Sequence, residues 1–322
     1  MSTTGSTHSA VGIDFGGTTV KIGLVVDGRI VGRQPPLQTQ TFAGAPPLIN
    51  AMVREVEAVR AAHPELPAMA LGVGMPGFVD FDGGVVHGLT NVRGWKEIAL
   101  RDILQERTGL PSVIENDAKS MAYAEWRHGA AQGKRNVVCI TLGTGVGGGL
   151  IVDGRLYRGS NFGAGEIGQM SVDPEGNAGH YGNHGALEKY VGNAQIVERA
   201  MEMYASGLQG APGGEMTPQT LQAAAQRGDP VAIALWKEIG GRIGFMLSNV
   251  VWLLNPDAIV IGGGVAKAGE WVFGPVRAEI QSRCSPVFWQ KLEIIPAKLG
   301  GDAGLIGAAT LGIDLAQSES ES

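Results

Sequence analysis

The sequence predicts an α/β protein of two lobes, each a mixed sheet flanked by helices, with a cleft between the lobes. Three observations lead there. Short apolar runs alternate with amphipathic stretches, the pattern of sheets covered by helices. Two glycine-rich loops, Asp14-Phe15-Gly16-Gly17-Thr18-Thr19-Val20-Lys21 and Leu142-Gly143-Thr144-Gly145-Val146-Gly147-Gly148-Gly149, each lie between two apolar runs, which reads as strand, tight turn, strand. A chain of 322 residues, 44% of them hydrophobic, suffices for roughly two packed domains.

Taken in order, Ala10 to about Ile30 reads as two strands around the first loop, with Gly32-Arg33 extending toward a third before Pro35-Pro36. From Pro47 to Ala62, the apolar residues Leu48, Ile49, Met52, Val56 and Val59 recur at helical spacing. Ala68–Met75 is a buried strand ended by Pro76-Gly77, and the stretch from Phe78 to Trp95 is glycine-rich and irregular. A short helix from Ile98 stops at Gly109, the strand Val113-Ile114 ends at Glu115-Asn116-Asp117, and a helix follows from Ala118 to His128. A similar series restarts at Asn136. Strands flank the second loop, Arg155-Leu156-Tyr157 adds a third, and Glu166 to Asn183 is again irregular. Helices follow over Leu187–Tyr204 and Thr217–Leu254, the second interrupted at Gly228-Asp229-Pro230. The strand Ala258–Ile261 ends in Gly262-Gly263-Gly264, and a helix over Glu270–Ser282, a strand at Leu292–Ile295 and a last helix from Ala303 complete the series. The expected lobes are residues 10–118, completed by the C-terminal helix 303–315, and residues 119–302.

Composition excludes several classes. The net charge of −6 offers no basic patch for nucleic acid or anionic lipid. No apolar run reaches the length of a membrane span. The two cysteines, Cys139 and Cys284, form no disulfide framework, so a reducing cytoplasm is expected. Met1–Ser9 lacks the basic and apolar regions of a signal peptide and reads as a loose lead-in, and Gln317–Ser322 as a solvated tail.

The paired loops carry the chemistry. A turn without side chains presents backbone N–H groups to a phosphate, and Thr18 and Thr144 add hydroxyls. One such turn is weak evidence; two in matching strand contexts suggest a duplicated nucleotide-binding framework.

The motifs Asp14-x-Gly-Gly-Thr-x-x-Lys21, Gly74-x-Pro-Gly77, Glu115-Asn-Asp-Ala118, Leu142-Gly-Thr-Gly-x-Gly-Gly-Gly149, Gly165-Glu-Ile-Gly168, Gly182-Asn-x-Gly-x-Leu-Glu188, Ile261-Gly-Gly-Gly264 and Gly301-Asp-Ala-Gly304, in this order, resemble the ROK family of repressors and sugar kinases. The resemblance runs from about residue 10 to 312 and implies actin-like, ribonuclease-H-like lobes. ROK repressors carry a helix-turn-helix ahead of the first loop, for which Met1–Ser9 is too short, so the sugar-kinase branch is expected.

For that branch the resemblance implies roles residue by residue. Asp117 is the candidate base for a sugar hydroxyl, its plainer role being the N-cap of the following helix. Asn116, Asn91, Gly77, Glu166 and Glu188 are the other candidate sugar-binding residues, carboxylates being acceptors for neighbouring hydroxyls. Asp14 is the candidate holder of Mg2+, directly or through water. Gly16, Gly17 and Thr18 form the first phosphate turn, and Gly143, Thr144 and Gly145 the second. Lys21 either faces phosphate or is a solvated strand residue, and Gly262, Gly263 and Gly264 resemble the adenosine-side loop. Many relatives hold a structural zinc with one histidine and three cysteines; the matching positions here are Gln169, Gly179, Tyr181 and Ala186. No zinc is therefore expected, with Tyr181 and Leu187 packing the loop in its place. Because that histidine also touches sugar in the zinc-bearing relatives, Gln169 joins the candidate sugar-binding set.

Together these imply a cytoplasmic, homodimeric enzyme of carbohydrate metabolism, an ATP-dependent hexokinase acting on glucose O6. Fructose, mannose, allose or an N-acetylated hexosamine are the alternative substrates and polyphosphate the alternative donor. A catalytically silent sugar sensor is the alternative class.

Overall fold

The computed structural model describes residues 8–89, 91–206 and 214–321. Its first half contains β1 (Ser9–Phe15), β2 (Thr19–Val26), β3 (Arg29–Arg33), β4 (Leu37–Gln38), α1 (Ala45–Ala61), β5 (Leu71–Met75), β6 (Val79–Asp80), β7 (Val85–Gly88), β8 (Lys96–Ile98), α2 (Leu100–Thr108), β9 (Ser112–Asn116) and α3 (Asp117–Arg127). There follow β10 (Val137–Leu142), β11 (Val146–Val152), β12 (Arg155–Tyr157), α4 (Glu188–Val191), α5 (Asn193–Ser206), α6 (Pro218–Gln226) and α7 (Pro230–Leu254). The last elements are β13 (Ala258–Gly262), α8 (Glu270–Arg283), α9 (Pro286–Trp289), β14 (Glu293–Pro296) and α10 (Ala303–Glu321).

The chain forms two compact units. Unit 1 takes the chain up to Gly133, Leu156–Ala164 and the chain from Gly301; unit 2 takes Lys134–Arg155 and Gly165–Gly300. The division comes at Gly133, after α3, which packs directly on α10. A Cβ on Gly307 of α10 would stand 1.7 Å from the Ser120 carbonyl oxygen of α3.

The sheet of unit 1 is ordered β3-β2-β1-β5-β9, with β4 on β2. β1 is antiparallel to β2 and parallel to β5, which is parallel to β9. Unit 2 repeats this plan as β11-β10-β13-β14, with β10 antiparallel to β11 and parallel to β13, and β14 parallel to β13. The duplication extends to a second pair of turns: Asp27-Gly28 and Asp153-Gly154 both hold two successive residues at positive φ, the geometry that suits a tight hairpin.

In unit 1, α1 and α2 bury Leu48, Met52, Val56, Leu100 and Leu104 against Ile13, Leu24, Val73 and Ile114 of the sheet. The apolar residues Ala10, Val25 and Ala70 pack instead with Leu305, Ala309 and Ile313 of α10. There the approach is backbone to backbone, since a Cβ on Gly72 of β5 would sit 1.7 Å from the Ala308 carbonyl oxygen. In unit 2, Val138, Ile140 and Leu142 alternate onto a core with Trp236, Ile243 and Met246 of α7 and Val272, Val276 and Ile280 of α8. Asp229 caps α7 by accepting from the N–H groups of Val231 (2.9 Å) and Ala232 (3.1 Å), which is why the helical stretch breaks there. Tyr204 donates to the other Asp229 oxygen, and burial with this acceptor pushes its hydroxyl up to about 12.

Three local expectations change. The stretch from Phe78 to Trp95 contains β6 and β7, which with β8 form a small antiparallel sheet whose strands are too short to show a period. The tail from Gln317 is solvent-exposed but helical, because a helix already nucleated by its apolar first turns extends cheaply into Ser and Glu. The loose lead-in falls on residues 1–7, outside the described residues, while Ser9 is buried in β1 and donates to the Pro67 carbonyl (2.8 Å).

Where α3 meets α10, His128 lies against Thr310 Oγ1 at 3.1 Å. Burial, joined by the Arg127 charge, holds its imidazole below the ordinary 6.5. The unfolded chain therefore takes up this proton first as pH falls, and stability drops from about pH 6.5 until the lower folded value is passed. Replacing His128 with glutamine should flatten the dependence of Tm on pH below neutrality; an unchanged slope would refute the assignment.

Candidate active site

In unit 1 the candidate residues gather at the carboxyl ends of the parallel strands β1, β5 and β9, where α/β sheets bind ligands. The register places Asp14 beside Gly74, and Met75 beside Asn116. The first glycine turn closes through the Gly16 N–H to the Thr19 carbonyl (2.8 Å). Protein donors occupy its carbonyls: Asn91 Nδ2 reaches Gly17 O, and the Thr39 N–H reaches Thr18 O at 2.9 Å. A trans peptide points N–H opposite to C=O, so the Thr18 and Thr19 N–H groups face away from these donors. Gly17 and Thr18 are exposed, which fits a turn open to an anion.

Asp14 and Lys21 are opposite one another in the β1–β2 ladder. Lys21 Nζ donates to Asp14 Oδ2 at 3.0 Å and to the Gly301 carbonyl at 2.7 Å. The Lys21 ammonium is thus held by Asp14 and the loop before α10. Asp14 Oδ1 remains as an oxygen donor of the kind a hard cation takes, so the residue fits magnesium through that atom.

The strand β9 runs straight into α3. Asn116, not Asp117, is the N-cap: its Oδ1 accepts from the Lys119 N–H (3.1 Å), while its Nδ2 donates to the Gly77 carbonyl (3.2 Å). Asp117 is the first helical residue, half-buried, with Oδ1 accepting from the Ala118 N–H (2.8 Å). The plainer role is thus filled by its neighbour. Asn91, expected to reach the sugar, donates its Nδ2 to the Gly17 carbonyl of the first glycine turn.

Unit 2 gathers the rest. The Gly143 N–H bonds to the Gly145 carbonyl (3.0 Å), and the Asn193 N–H at the start of α5 bonds to Gly143 O (2.8 Å). Glu188, at the start of α4, accepts from the Val146 N–H through Oε2 at 3.0 Å, and Gln169 Nε2 lies 3.5 Å from Oε1. A Cβ on Gly145 would stand 2.3 Å from Glu188 Oε2, so the turn and the carboxylate are in direct contact. Gly263 adopts φ +86°, and a Cβ there would lie 2.1 Å from the Leu142 carbonyl, bringing the Gly262–Gly264 loop onto the same turn. Glu166 precedes the turn of 3-10 helix that carries Gln169, whose N–H bonds to the Glu166 carbonyl (3.1 Å).

The loop that bears zinc in many relatives is organised by other means. Asn183 Nδ2 donates to the Gln169 carbonyl (2.8 Å), the Asn177 N–H donates to Tyr190 Oη (3.1 Å), and Arg242 stacks 4.2 Å from the Tyr190 ring centre. Leu187 is fully buried as expected, but Tyr181 is 66% exposed; Tyr190 does the packing assigned to it. Gln169, Gly179, Tyr181 and Ala186 supply neither thiolate nor imidazole and do not fit zinc.

Two further residues are given no role by the sequence, Glu115 of the Glu-Asn-Asp-Ala motif and Arg158, which lies in no motif. Glu115, next to Asn116, is 2% exposed and pairs with Arg158 Nε at 2.6 Å. The Arg158 guanidinium stacks 3.7 Å from the centre of the Phe81 ring.

A profile of the ROK family matches residues 10–314. The chain belongs to the ROK family. The glucokinase of Halalkalibacterium halodurans is 35% identical over 312 residues, 94% of this chain and 94% of its own. A ROK-family glucokinase of Streptomyces griseus, solved in complex with glucose and AMPPNP, matches with a TM-score of 0.76 at 32% identity, covering 95% of this chain and 99% of that one. The ROK relatives include the Escherichia coli DNA-binding transcriptional repressor Mlc, 29% identical over 82% of this chain and 66% of the repressor. Among the described residues, no helix is long and apolar enough to cross a membrane.

Proposed function

We propose that this ROK-family chain is an ATP- and Mg2+-dependent hexokinase acting on glucose O6. The observation that carries the reading is Asp117: a carboxylate at the first position of α3, with the helix capped by Asn116, at the end of the sheet that also holds the first glycine turn. Phosphoryl transfer asks a protein mainly for positioning and charge neutralisation. Asp117 accepts the proton of the sugar hydroxyl as that oxygen attacks the γ-phosphorus, and the bond to the ADP oxygen breaks. In unit 1, Asn116, Asn91 and Gly77 offer hydrogen-bonding groups to a sugar; in unit 2, Glu166, Gln169 and Glu188 offer theirs. Gly16–Thr18 and Gly143–Gly145 offer N–H groups and hydroxyls to the phosphates, and Gly262–Gly264 takes the adenosine side. Asp14, directly or through water, would hold a magnesium ion, which would supply neutralisation of phosphate charge.

Likeness to the Streptomyces griseus and Halalkalibacterium halodurans glucokinases supports glucose and ATP. Likeness to Mlc supports a second reading, a sugar-sensing regulator, against which Asp117 speaks because a sensor has no use for a base. Two buried free cysteines fit the proposed reducing cytoplasm, and the family resemblance fits a homodimer.

The test is a coupled assay crossing glucose, fructose, mannose, allose and N-acetylated hexosamines with ATP and polyphosphate. ATP-dependent phosphorylation, fastest on glucose, is expected; sugar binding without turnover on any pair would favour the sensor. Run on Gln169→His as well, the panel reads the contribution of Gln169, and identical preference profiles would remove it from the sugar site. Metal analysis after chelator washing should find no stoichiometric zinc; about one zinc per chain would overturn that expectation.

A further inference from the structure

We propose that Glu115 and Arg158 form a positioning pair that sets the carboxylate of Asp117, an inference that rests on the proposed kinase reading. Glu115 is buried, and its two oxygens have different tasks. Oε1 accepts the backbone N–H of Asn116 at 2.8 Å, and Oε2 accepts Arg158 Nε at 2.6 Å. Asn116 is then held at every polar group: N–H by Glu115, carbonyl by Ser120 Oγ (3.0 Å), Oδ1 by Lys119 and Nδ2 by Gly77. Asp117 is the next residue, so its placement can be no better than that of the Asn116 peptide.

Arg158 makes this arrangement possible. A carboxylate this deeply buried is costly without a cation beside it, and paired with one it is a strong acceptor for a peptide N–H. Removing the guanidinium strands Glu115 without its partner, and a Glu115 side chain that turns toward water releases the Asn116 N–H. Arg158 is itself fixed, by stacking on Phe81 and by the Ala164 N–H, which bonds to its carbonyl at 2.9 Å. Phe162 adds a second ring 6.3 Å from that of Phe81. These contacts explain why Leu156–Ala164, flanked on both sides by segments of unit 2, belongs to unit 1. The excursion brings one cation to the strand that ends in the proposed base.

The experiment compares Arg158→Gln, Arg158→Lys, Glu115→Gln and the double variant Glu115→Gln/Arg158→Gln with the wild-type chain. Glucose binding by calorimetry confirms that each is folded. Arg158→Gln is expected to lose roughly tenfold or more in kcat, the scale of a small misplacement of a reacting group. Its KM values for glucose and ATP should stay within about twofold of wild type. The double variant, with no stranded charge, should recover several-fold of the lost kcat, which damage to folding alone would not do. Should Arg158→Gln fail to fold, Arg158→Lys decides, with reduced kcat at unchanged KM expected. A glucose-binding Arg158 variant with wild-type kcat, a rise in KM at constant kcat, or a double variant no better than Arg158→Gln overturns the pair. A wild-type chain that phosphorylates no sugar overturns the kinase reading instead.

Discussion

Replacing Asp117 with asparagine should leave a chain that binds glucose and turns over at least about a hundredfold more slowly, the usual scale for loss of a general base. The backbone contacts described above survive the substitution. Asparagine keeps an oxygen for the Ala118 N–H that Asp117 Oδ1 accepts, and the α3 cap resides on Asn116. An amide can hold a sugar hydroxyl but cannot take its proton. Calorimetry with glucose and a coupled ADP assay on one preparation separate the two effects. Near-normal turnover would show that Asp117 is only the first residue of a helix.

The second large effect lies outside the candidate site. Gly72→Ala should destabilise unit 1 by about 3 kcal/mol or more, at the upper end of what overpacked cores lose. The added carbon would meet the Ala308 carbonyl at 1.7 Å, and both partners are backbone, one in a central strand and one in a helix. Neither can swing aside as a side chain would. Gly241→Ala makes the control: nothing lies within 4 Å of its Cβ, and alanine suits the interior of α7 better than glycine. Urea unfolding should show a loss for the first variant and none for the second. A Gly72→Ala chain as stable as wild type would mean that α10 does not rest on β5 as described.

Much of this architecture was legible in order because its signals are local. A glycine turn between apolar runs declares a hairpin, and a strand running into Asn-Asp-Ala declares a helix start. The Asp-Gly pairs at 27–28 and 153–154 carry the same message of duplication. What is hidden depends on partners distant in the chain. The ammonium of Lys21 is placed by the Gly301 carbonyl from far along the chain, and nothing near Glu115 announces Arg158. Tyr181 and Tyr190 are equally aromatic; only the fold decides that Tyr190 meets Arg242 while Tyr181 faces water. Asn91 was placed by motif, and its amide answers to the carbonyl of Gly17.

The helix that closes the first sheet leaves the ribosome after the whole of unit 2. Ala10, Val25 and Ala70 pack on Leu305, Ala309 and Ile313, which are made once unit 2 is complete. At about 5–20 residues per second the nascent sheet waits on the order of ten to forty seconds with one face uncovered. Every strand and helix of unit 2 emerges during that interval. Completion therefore runs against the direction of synthesis, for the sheet made before unit 2 is finished after it.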